Sequence, residues 1–139
     1  MALTYHYRIL PGKKGSPVKT PSIPVCFKGN SSLSLNVVAL VDSGADCSII
    51  PKGLAEVLNL NLSGPTQDSY GIAGSIKCIQ SSVKIVLKQN HERYELSVPL
   101  LVSSDDYCPI ILGRRAFFDN FKIVFDSKHE HVVLKKNGE

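Results

Sequence analysis

The chain has 139 residues, of which 43% are hydrophobic and 20% are charged. This length and composition suit one globular domain and exclude an intrinsically disordered chain. Sixteen basic residues against twelve acidic ones give a formal charge of +4 that is spread along the sequence. Such a mild and dispersed charge argues against a dedicated nucleic-acid binder.

No apolar run reaches the roughly 18 residues of a membrane-spanning helix, and the first residues lack the layout of a signal peptide. Four cysteines, at positions 26, 47, 78 and 108, form no Cys-x-x-Cys pair. A secreted disulfide scaffold is therefore disfavoured, and we predict free thiols in a reducing compartment. We expect a cytoplasmic protein that binds neither nucleic acid nor membrane.

The first half of the chain alternates short strands with turns. We predict a strand over residues 5–10, an exposed basic loop over residues 11–17 and a strand over residues 25–27. Residues 33–41 predict a longer strand, in which polar-apolar alternation gives way to an apolar run that suits burial on both faces. Residues 51–60 begin with proline and have helical spacing of apolar residues, so they predict the first helix.

The second half continues with strands. Residues 70–78 and 81–87 predict two strands, and the second forms a hairpin with residues 94–100. After these come an apolar run ending in glycine, a short helix and a closing hairpin, at residues 109–112, 114–120 and 121–134. The class is therefore mainly β, barrel-like or sandwich-like, and no linker divides the chain into two domains.

The most informative segment runs from Ala39 to Asp46 and reads Ala-Leu-Val-Asp-Ser-Gly-Ala-Asp. Asp42 follows a buried apolar run, where a carboxylate is costly unless it has partners or a chemical role. Gly44 permits a sharp turn, and Ser43 places a hydroxyl beside the carboxylate. An Asp that only caps a strand end with Asx-type hydrogen bonds is the structural alternative, and Asp-Ser-Gly alone would favour it.

Two later segments bear on this candidate. Residues 71–74, Gly-Ile-Ala-Gly, are an apolar pair between glycines at a hairpin tip, which predicts either an ordinary mobile turn or a flexible lid. Residues 110–114, Ile-Ile-Leu-Gly-Arg, are a second buried strand that ends in glycine before a helix. We expect them to pack in the core and to support the site.

Together these motifs resemble the retropepsin-like aspartic proteases, single-domain enzymes of the retroviral type. The resemblance rests on Leu-Val-Asp-Ser-Gly-Ala-Asp at residues 40–46 and Ile-Leu-Gly-Arg at residues 111–114, and it covers residues 23–134. It implies a mainly β, retropepsin-like acid-protease barrel with one or two short helices, acting as a symmetric homodimer. Residues 1–20 would be an N-terminal extension and residues 21–139 the protease domain.

The resemblance also implies roles for the matching residues. Asp42 would be the catalytic aspartate, and Ser43 would form hydrogen bonds between the two active-site loops of a dimer. Gly44 would let the backbone approach the substrate, while Ala45 and Asp46 would line the cleft. The protein would hydrolyse peptide bonds in extended segments of a peptide or protein substrate.

Further residues would cover and support this loop. The flap tip would comprise Gly71, Ile72, Ala73 and Gly74. Support would come from Leu112, Gly113 and Arg114, with Arg114 paired to Asp46. Apolar candidates for the walls of the substrate tunnel are Leu40, Ile49, Ile50, Ile72, Ile76 and Ile110.

Aspartic proteolysis needs two carboxylates that share one proton, because two like charges this close cannot both ionise. The chain has one Asp-Ser/Thr-Gly motif, and no acid stands at Leu112-Gly113, where an internal repeat could have placed a second. We therefore predict that Asp42 of a second subunit completes the dyad across a two-fold axis. The extra N-terminal residues and the closing hairpin depart from the viral pattern and leave the dimer contacts open.

Two alternatives stay open: a non-catalytic dimerisation or peptide-binding module of the same fold, and a self-processing protease released from a longer chain. No cofactor and no metal are expected. Cys47 has no base placed beside it by sequence, so we interpret it as a small buried residue. His129 and His131 lack a third ligand with metal-like spacing and are interpreted as solvated side chains.

Overall fold

The computed structural model describes residues 2–9, 18–30, 32–72 and 74–138. The predicted loop at residues 11–17 and the predicted flap residue Ala73 lie outside these described residues. In the described part, β-strands dominate and helices are short, so the mainly β class is confirmed. The strands are β1 (Ala2–His6), β2 (Arg8–Ile9), β3 (Lys19–Thr20), β4 (Ser22–Lys28), β5 (Ser34–Val41), β6 (Ser48–Pro51), β7 (Thr66–Gly71), β8 (Gly74–Gln89), β9 (Glu92–Ser103), β10 (Ile111–Leu112), β11 (Phe121–Asp126) and β12 (His131–Lys136), with one regular helix α1 (Lys52–Val57).

The main sheet has seven strands in the order β4-β5-β10-β6-β9-β8-β7. A further antiparallel pairing joins β4 to β8, so the sheet closes on itself as a barrel. The two longest strands, β8 and β9, form a hairpin around Asn90, whose positive φ of 56° suits a tight turn. Closure leaves β7 as the strand that extends beyond the barrel.

The pairings of β10 bring two distant segments of the chain together. Ile111 and Leu112 pair in parallel with Leu40 and Val41 of β5, and Ile111 also pairs with Ile49 of β6. Because β5 and β10 run in the same direction, the residues that follow them emerge at the same edge. The loop after β5 therefore lies beside the glycine that follows β10.

A separate sheet of three strands has the order β1-β12-β11. Its core-facing residues join those of the barrel in one hydrophobic core, in which Phe117 and Phe121 make a ring contact with centroids 5.6 Å apart. Burying aromatic rings of this size is a large stabilising contribution. The core thus fastens the small sheet and the segment before it to the barrel.

Three elements differ from the sequence-based expectation. The first helix covers only Lys52–Val57, and the first predicted strand is interrupted at Tyr7. The strands predicted at residues 70–78 and 81–87 are instead β7, a turn and the uninterrupted β8. The break expected near residues 79–80 is absent because Ile79 and Gln80 pair continuously with β9.

The second short helix predicted over residues 114–120 is confirmed, but it is kinked and not regular. Arg114–Phe118 forms a distorted helical turn in which Arg115 is extended, and Ala116 has a positive φ of 67°. The reason lies in two local side-chain hydrogen bonds. Asp119 accepts from the Ala116 N–H at 3.0 Å, and Asn120 donates to the Ala116 carbonyl. No helix among the described residues is long and apolar enough to cross a membrane.

Candidate active site

The loop after β5 is held by backbone hydrogen bonds on both sides. Val41 donates its N–H to the Pro21 carbonyl at 2.9 Å, and Asp42 donates its N–H to the Leu112 carbonyl at 3.0 Å. Ala45 then donates to the Asp42 carbonyl at 3.3 Å, which closes a tight turn. The position of Asp42 is therefore set by the barrel strands and not by a free loop.

The carboxylate of Asp42 is half-buried and has two unlike oxygens. Oδ1 accepts the N–H of Gly44 at 2.9 Å, whereas Oδ2 has no hydrogen-bond partner among the described residues. The Asx-type turn that was the structural alternative is thus present. It occupies one oxygen only, and the other remains available for chemistry.

The segment after β10 is hydrogen-bonded to the loop after β5 and to the start of β6. Gly113 donates its N–H to the Ser48 hydroxyl at 3.0 Å in a buried contact. Arg114 donates its N–H to the Ala45 carbonyl at 2.8 Å, and Arg115 does the same to the Asp46 carbonyl at 2.9 Å. Two consecutive backbone hydrogen bonds and one buried hydrogen bond thus hold the segment after β10 against the loop after β5.

The guanidinium of Arg114 also forms an ion pair with the Asp46 carboxylate, as predicted. Both side chains are more than half exposed, so the pair contributes little to stability. Its effect is to fix the orientation of the Asp46 side chain at the mouth of the site.

Gly113 is required by the close approach of two backbones. A Cβ atom at this position would lie 2.5 Å from the Cys47 carbonyl oxygen and 2.8 Å from that of Ala45. No side chain fits at these distances, because backbone atoms cannot move aside as the end of a flexible side chain can. The predicted supporting role of this glycine thus has a steric basis.

A cleft of about 620 Å³ opens in front of Asp42. This volume lies within the range of ligand-binding pockets in proteins. The cleft is lined by the loop after β5 (residues 42–47, called the active-site loop below), by β7 and by single residues of β6, β9, β10 and the segment after β10. These residues are Asp42, Gly44, Ala45, Asp46, Cys47, Ile49, Gln67, Asp68, Ser69, Tyr70, Gly71, Leu101, Ile111 and Arg115.

The hairpin of β7 and β8, where either a mobile turn or a lid was predicted, extends past the cleft. Gly71 and Gly74 close the hairpin as its last pair, and Gly74 has a φ of 124°, which a glycine adopts without strain. Tyr70 and Ile72 are almost fully exposed. The side chains of Tyr70 and Ile72 therefore contribute little to the core.

Of the six predicted cleft walls, only Ile49 lines this cleft, and Leu40, Ile50, Ile72, Ile76 and Ile110 do not. Ile50 is fully buried in the core, because side chains alternate along β6 and its neighbour Ile49 is the one that faces the cleft. Ile110 lines a different pocket of about 540 Å³ on the outer side of the barrel. Leu40 precedes the active-site loop but does not line the cleft.

Several cleft residues were not anticipated from the sequence. Gln67, Asp68 and Ser69 belong to β7, which the sequence places only from residue 70 onward, and Leu101 lies at the end of β9. Arg115 enters the cleft because the chain is extended at this residue and not helical. The alternation of β9 could have suggested Leu101, but no local signal indicates the other four.

The cysteine and histidine side chains of the described residues form no metal-binding cluster. Cys47 lines the cleft, and all four cysteines are free. His129 bonds to Asp126 at 2.8 Å, while His131 meets His6 on the adjacent strand at 3.0 Å. Within the described ranges, no group of three or more His, Cys, Asp or Glu residues is placed to hold a metal.

Comparisons with known proteins rest on structure alone, because no protein-family model and no curated protein matches the sequence. A solved retropepsin-like aspartic protease from Rickettsia conorii matches 96% of this chain and 91% of its own, with a TM-score of 0.58 and 14% sequence identity. The chain has the retropepsin-like fold.

EIAV protease, solved in complex with the inhibitor HBY-793, is also similar. It matches 73% of this chain and 88% of its own, with 24% sequence identity and a TM-score of 0.48. In the retropepsin-like fold of the present chain, Asp42 lies at the floor of a cleft whose open side is overhung by the hairpin of β7 and β8.

Proposed function

We propose that this protein is an aspartic endopeptidase that acts as a homodimer. The observation that carries the proposal is Asp42, a half-buried carboxylate with one oxygen fixed by Gly44 and the other free, at the floor of a cleft beneath a β-hairpin. The retropepsin-like fold supports this reading of the loop.

The chemistry requires two such carboxylates about 3 Å apart that share a single proton. The ionised carboxylate takes a proton from the attacking water, and the protonated one polarises the scissile carbonyl. The fixed oxygen of Asp42 and the rigid backbone around it favour this task, because a preorganised carboxylate needs little rearrangement when the reaction begins.

The second carboxylate is proposed to be Asp42 of another subunit. The other acids of the cleft are poorly suited, since Asp46 is paired with Arg114 and Asp68 lies on β7 across the cleft. The hydroxyl of Ser43 is exposed and has no hydrogen-bond partner among the described residues. It is therefore available for a bond across a two-fold axis.

The proposed substrate is an extended polypeptide. β7 is the terminal strand of its sheet, so its outer edge can pair with a peptide backbone in the manner of an added strand. The apolar side chains in the cleft, Ile49, Leu101 and Ile111, favour apolar residues beside the cleaved bond. Polar residues of β7 would contact the flanking positions.

The test is to compare wild type with Asp42→Asn on a peptide library between pH 4 and 7. Asn keeps the size of the side chain but cannot serve as the base, so we expect cleavage to fall by at least about 10²–10⁴-fold. Glu56→Gln, which neutralises an exposed acid on α1, is the matched control and should cleave as wild type does. Sedimentation velocity on the same samples reports whether each variant remains a dimer.

Two results would reject the proposal. Equal cleavage profiles of the wild type and Asp42→Asn dimers would exclude Asp42 as the catalytic group. Peptide binding by both proteins with no cleavage by either would instead indicate the non-catalytic binding module.

A further inference from the structure

The cleft in front of Asp42 is lined by one cationic side chain among the described residues, that of Arg115. Its guanidinium is exposed and forms no ion pair or hydrogen bond with the described residues. Its neighbour Arg114, by contrast, is already paired with Asp46. Because arginine keeps its charge at any pH at which proteins fold, the cleft contains a permanent positive charge without an ion-pair partner in the described part of the chain.

The backbone fixes where this charge lies. The chain is extended at Arg115, with a φ of −64° and a ψ of 123°, and the Arg115 N–H is donated to the Asp46 carbonyl at 2.9 Å. The next residue is held as well, because the Ala116 N–H is donated to Asp119 at 3.0 Å. The root of the Arg115 side chain is therefore fixed against the active-site loop. A cation that is preorganised in this way loses less conformational entropy when it binds a ligand.

The acidic groups of the cleft have positive charges or protons of their own nearby. Asp46 forms its ion pair with Arg114. Asp68 is the cross-strand partner of Lys77 in the hairpin of β7 and β8, where opposite charges attract each other. The carboxylate of Asp42 shares a proton with its counterpart in the proposed dyad. An anionic group that enters the cleft therefore gains most from the unpaired guanidinium.

The distance between Asp42 and the root of the Arg115 side chain limits which substrate residue this side chain can contact. Arg115 is bonded to Asp46, and the four residues from Asp42 to Asp46 span at most about 13 Å. An extended substrate advances about 3.3 Å per residue. The residue that Arg115 contacts thus lies within about four residues of the cleaved bond.

We propose that Arg115 is a specificity-determining residue that binds an acidic side chain, aspartate or glutamate, of the substrate. A guanidinium binds a carboxylate through two parallel hydrogen bonds, which adds geometric specificity to the attraction of charge. The inference rests on the proposed function for the nature of the substrate and for the dimer. In that dimer, the two-fold axis places one Arg115 on each side of the cleaved bond.

The preferred substrate then follows from the whole lining of the cleft. The apolar side chains of Ile49, Leu101 and Ile111 suit apolar residues at the cleaved bond. The two copies of Arg115 suit one acidic residue on each side of them. A substrate of this kind has an apolar centre between two acidic flanks.

The first test measures cleavage of peptides that differ only in charge. The reference peptide has apolar residues at the cleaved bond and glutamine at the next three positions on each side, and glutamate replaces one glutamine at a time. At pH 6, where glutamate is ionised, the best single glutamate should raise kcat/KM about three- to tenfold. A glutamate at the best position on each side should give about the product of the two effects, because the two sites are well separated.

Substitution of Arg115 shows whether it is the source of the preference. In Arg115→Gln the ratio of kcat/KM between glutamate and glutamine peptides should fall to about one. In Arg115→Glu the preference should invert, so that a lysine peptide is cleaved faster than the glutamate peptide. Arg93→Gln is the matched control and should keep the wild-type ratio, since Arg93 is an exposed arginine of β9 whose partner is Glu95. Circular dichroism of each variant shows whether it is folded.

The second test measures binding without cleavage. Asp42→Asn keeps the cleft and removes the proposed catalysis, so labelled peptides can be titrated to equilibrium by fluorescence anisotropy. The glutamate peptide should bind about three- to tenfold more tightly than the glutamine peptide, and the double variant D42N/R115Q should bind the two equally. In about 1 M salt, where the Debye length is about 3 Å, the preference of Asp42→Asn for glutamate should shrink.

The outcomes separate this inference from the proposed function. Equal kcat/KM for all peptides, or an acidic preference that persists in Arg115→Gln, overturns the role of Arg115 and leaves the protease in place. Binding of glutamate peptides that depends on Arg115, without cleavage by wild type, supports the acidic ligand and rejects the protease. The absence of both cleavage and binding overturns both proposals.

Discussion

At the scale of single residues, the buried side-chain N and O atoms of the described residues have hydrogen-bond partners, with one exception in the core. Asp42 keeps a free oxygen at the cleft, where water and substrate can reach it. The Tyr5 hydroxyl is also without a partner among the described residues, yet it is buried. A buried hydroxyl without a hydrogen bond costs stability and has no compensating role in the site.

Tyr5→Phe is therefore expected to raise the free energy of unfolding by about 1 kcal/mol, since it removes the desolvated oxygen and keeps the ring. Urea denaturation of both proteins measures the change. Tyr94→Phe is the matched control and should lower stability, because the Tyr94 hydroxyl donates to Glu92 at 2.6 Å. Equal losses in the two variants would show that Tyr5 has a partner.

At the scale of elements, the active-site loop and the segment after β10 depend on each other through backbone contacts. Substitution at Gly113 tests this dependence, because any Cβ there meets the Cys47 carbonyl at 2.5 Å. Gly113→Ala should lower the free energy of unfolding by about 1–3 kcal/mol through overpacking. It should also lower cleavage per folded molecule, since the loop that carries Asp42 must shift.

Gly71→Ala provides the control for this prediction, as no described atom lies within 4 Å of a Cβ at that position. Its denaturation midpoint should match that of wild type. A Gly113→Ala protein with unchanged stability would contradict the steric role of this glycine.

The sequence predicts those elements whose hydrophobic period is not disturbed by distant contacts. The alternation in β5 and its apolar end predict a strand that stops before Asp42, and β5 does end at Val41, although Val38 and Leu40 are only half-buried. The short helix after β10 is predicted, but its kink is not, since that depends on the hydrogen bonds of Asp119 and Asn120 to Ala116. The wrong assignment of Ile50 has a similar origin, because its face depends on how β6 pairs with its neighbours.

At the scale of the whole molecule, one chain holds half of the proposed active site. The proposal therefore requires a symmetric dimer, and the stability of such a dimer depends on concentration. The dimeric state should therefore be measured before any comparison of unfolding midpoints. Stability also depends on pH, because burial raises the pKa of three groups within the subunit, those of Tyr5, Cys78 and Cys108.

Burial raises the pKa of Tyr5 to about 12 and that of Cys108 to about 11, and it also raises the pKa of Cys78. The folded chain therefore holds these protons more tightly than the unfolded chain, whose thiols and phenol titrate from about pH 9 to 10. Below pH 9 both states are protonated and the contribution is complete. As the pH rises from about 9 toward 12, the unfolded state loses protons first and the free energy of unfolding falls.

Urea midpoints at pH 8, 9, 10 and 11, measured at one protein concentration, should be steady to about pH 9 and then decline. Cys108→Ala should flatten the decline between pH 9 and 11, and Tyr5→Phe should flatten it above pH 10, because each removes one group that titrates differently in the two states. Cys26→Ala, at a half-buried free thiol on β4, is the control and should leave the slope as in wild type. A midpoint that stays constant to pH 11 in wild type would show that these groups titrate alike in the folded and unfolded chain.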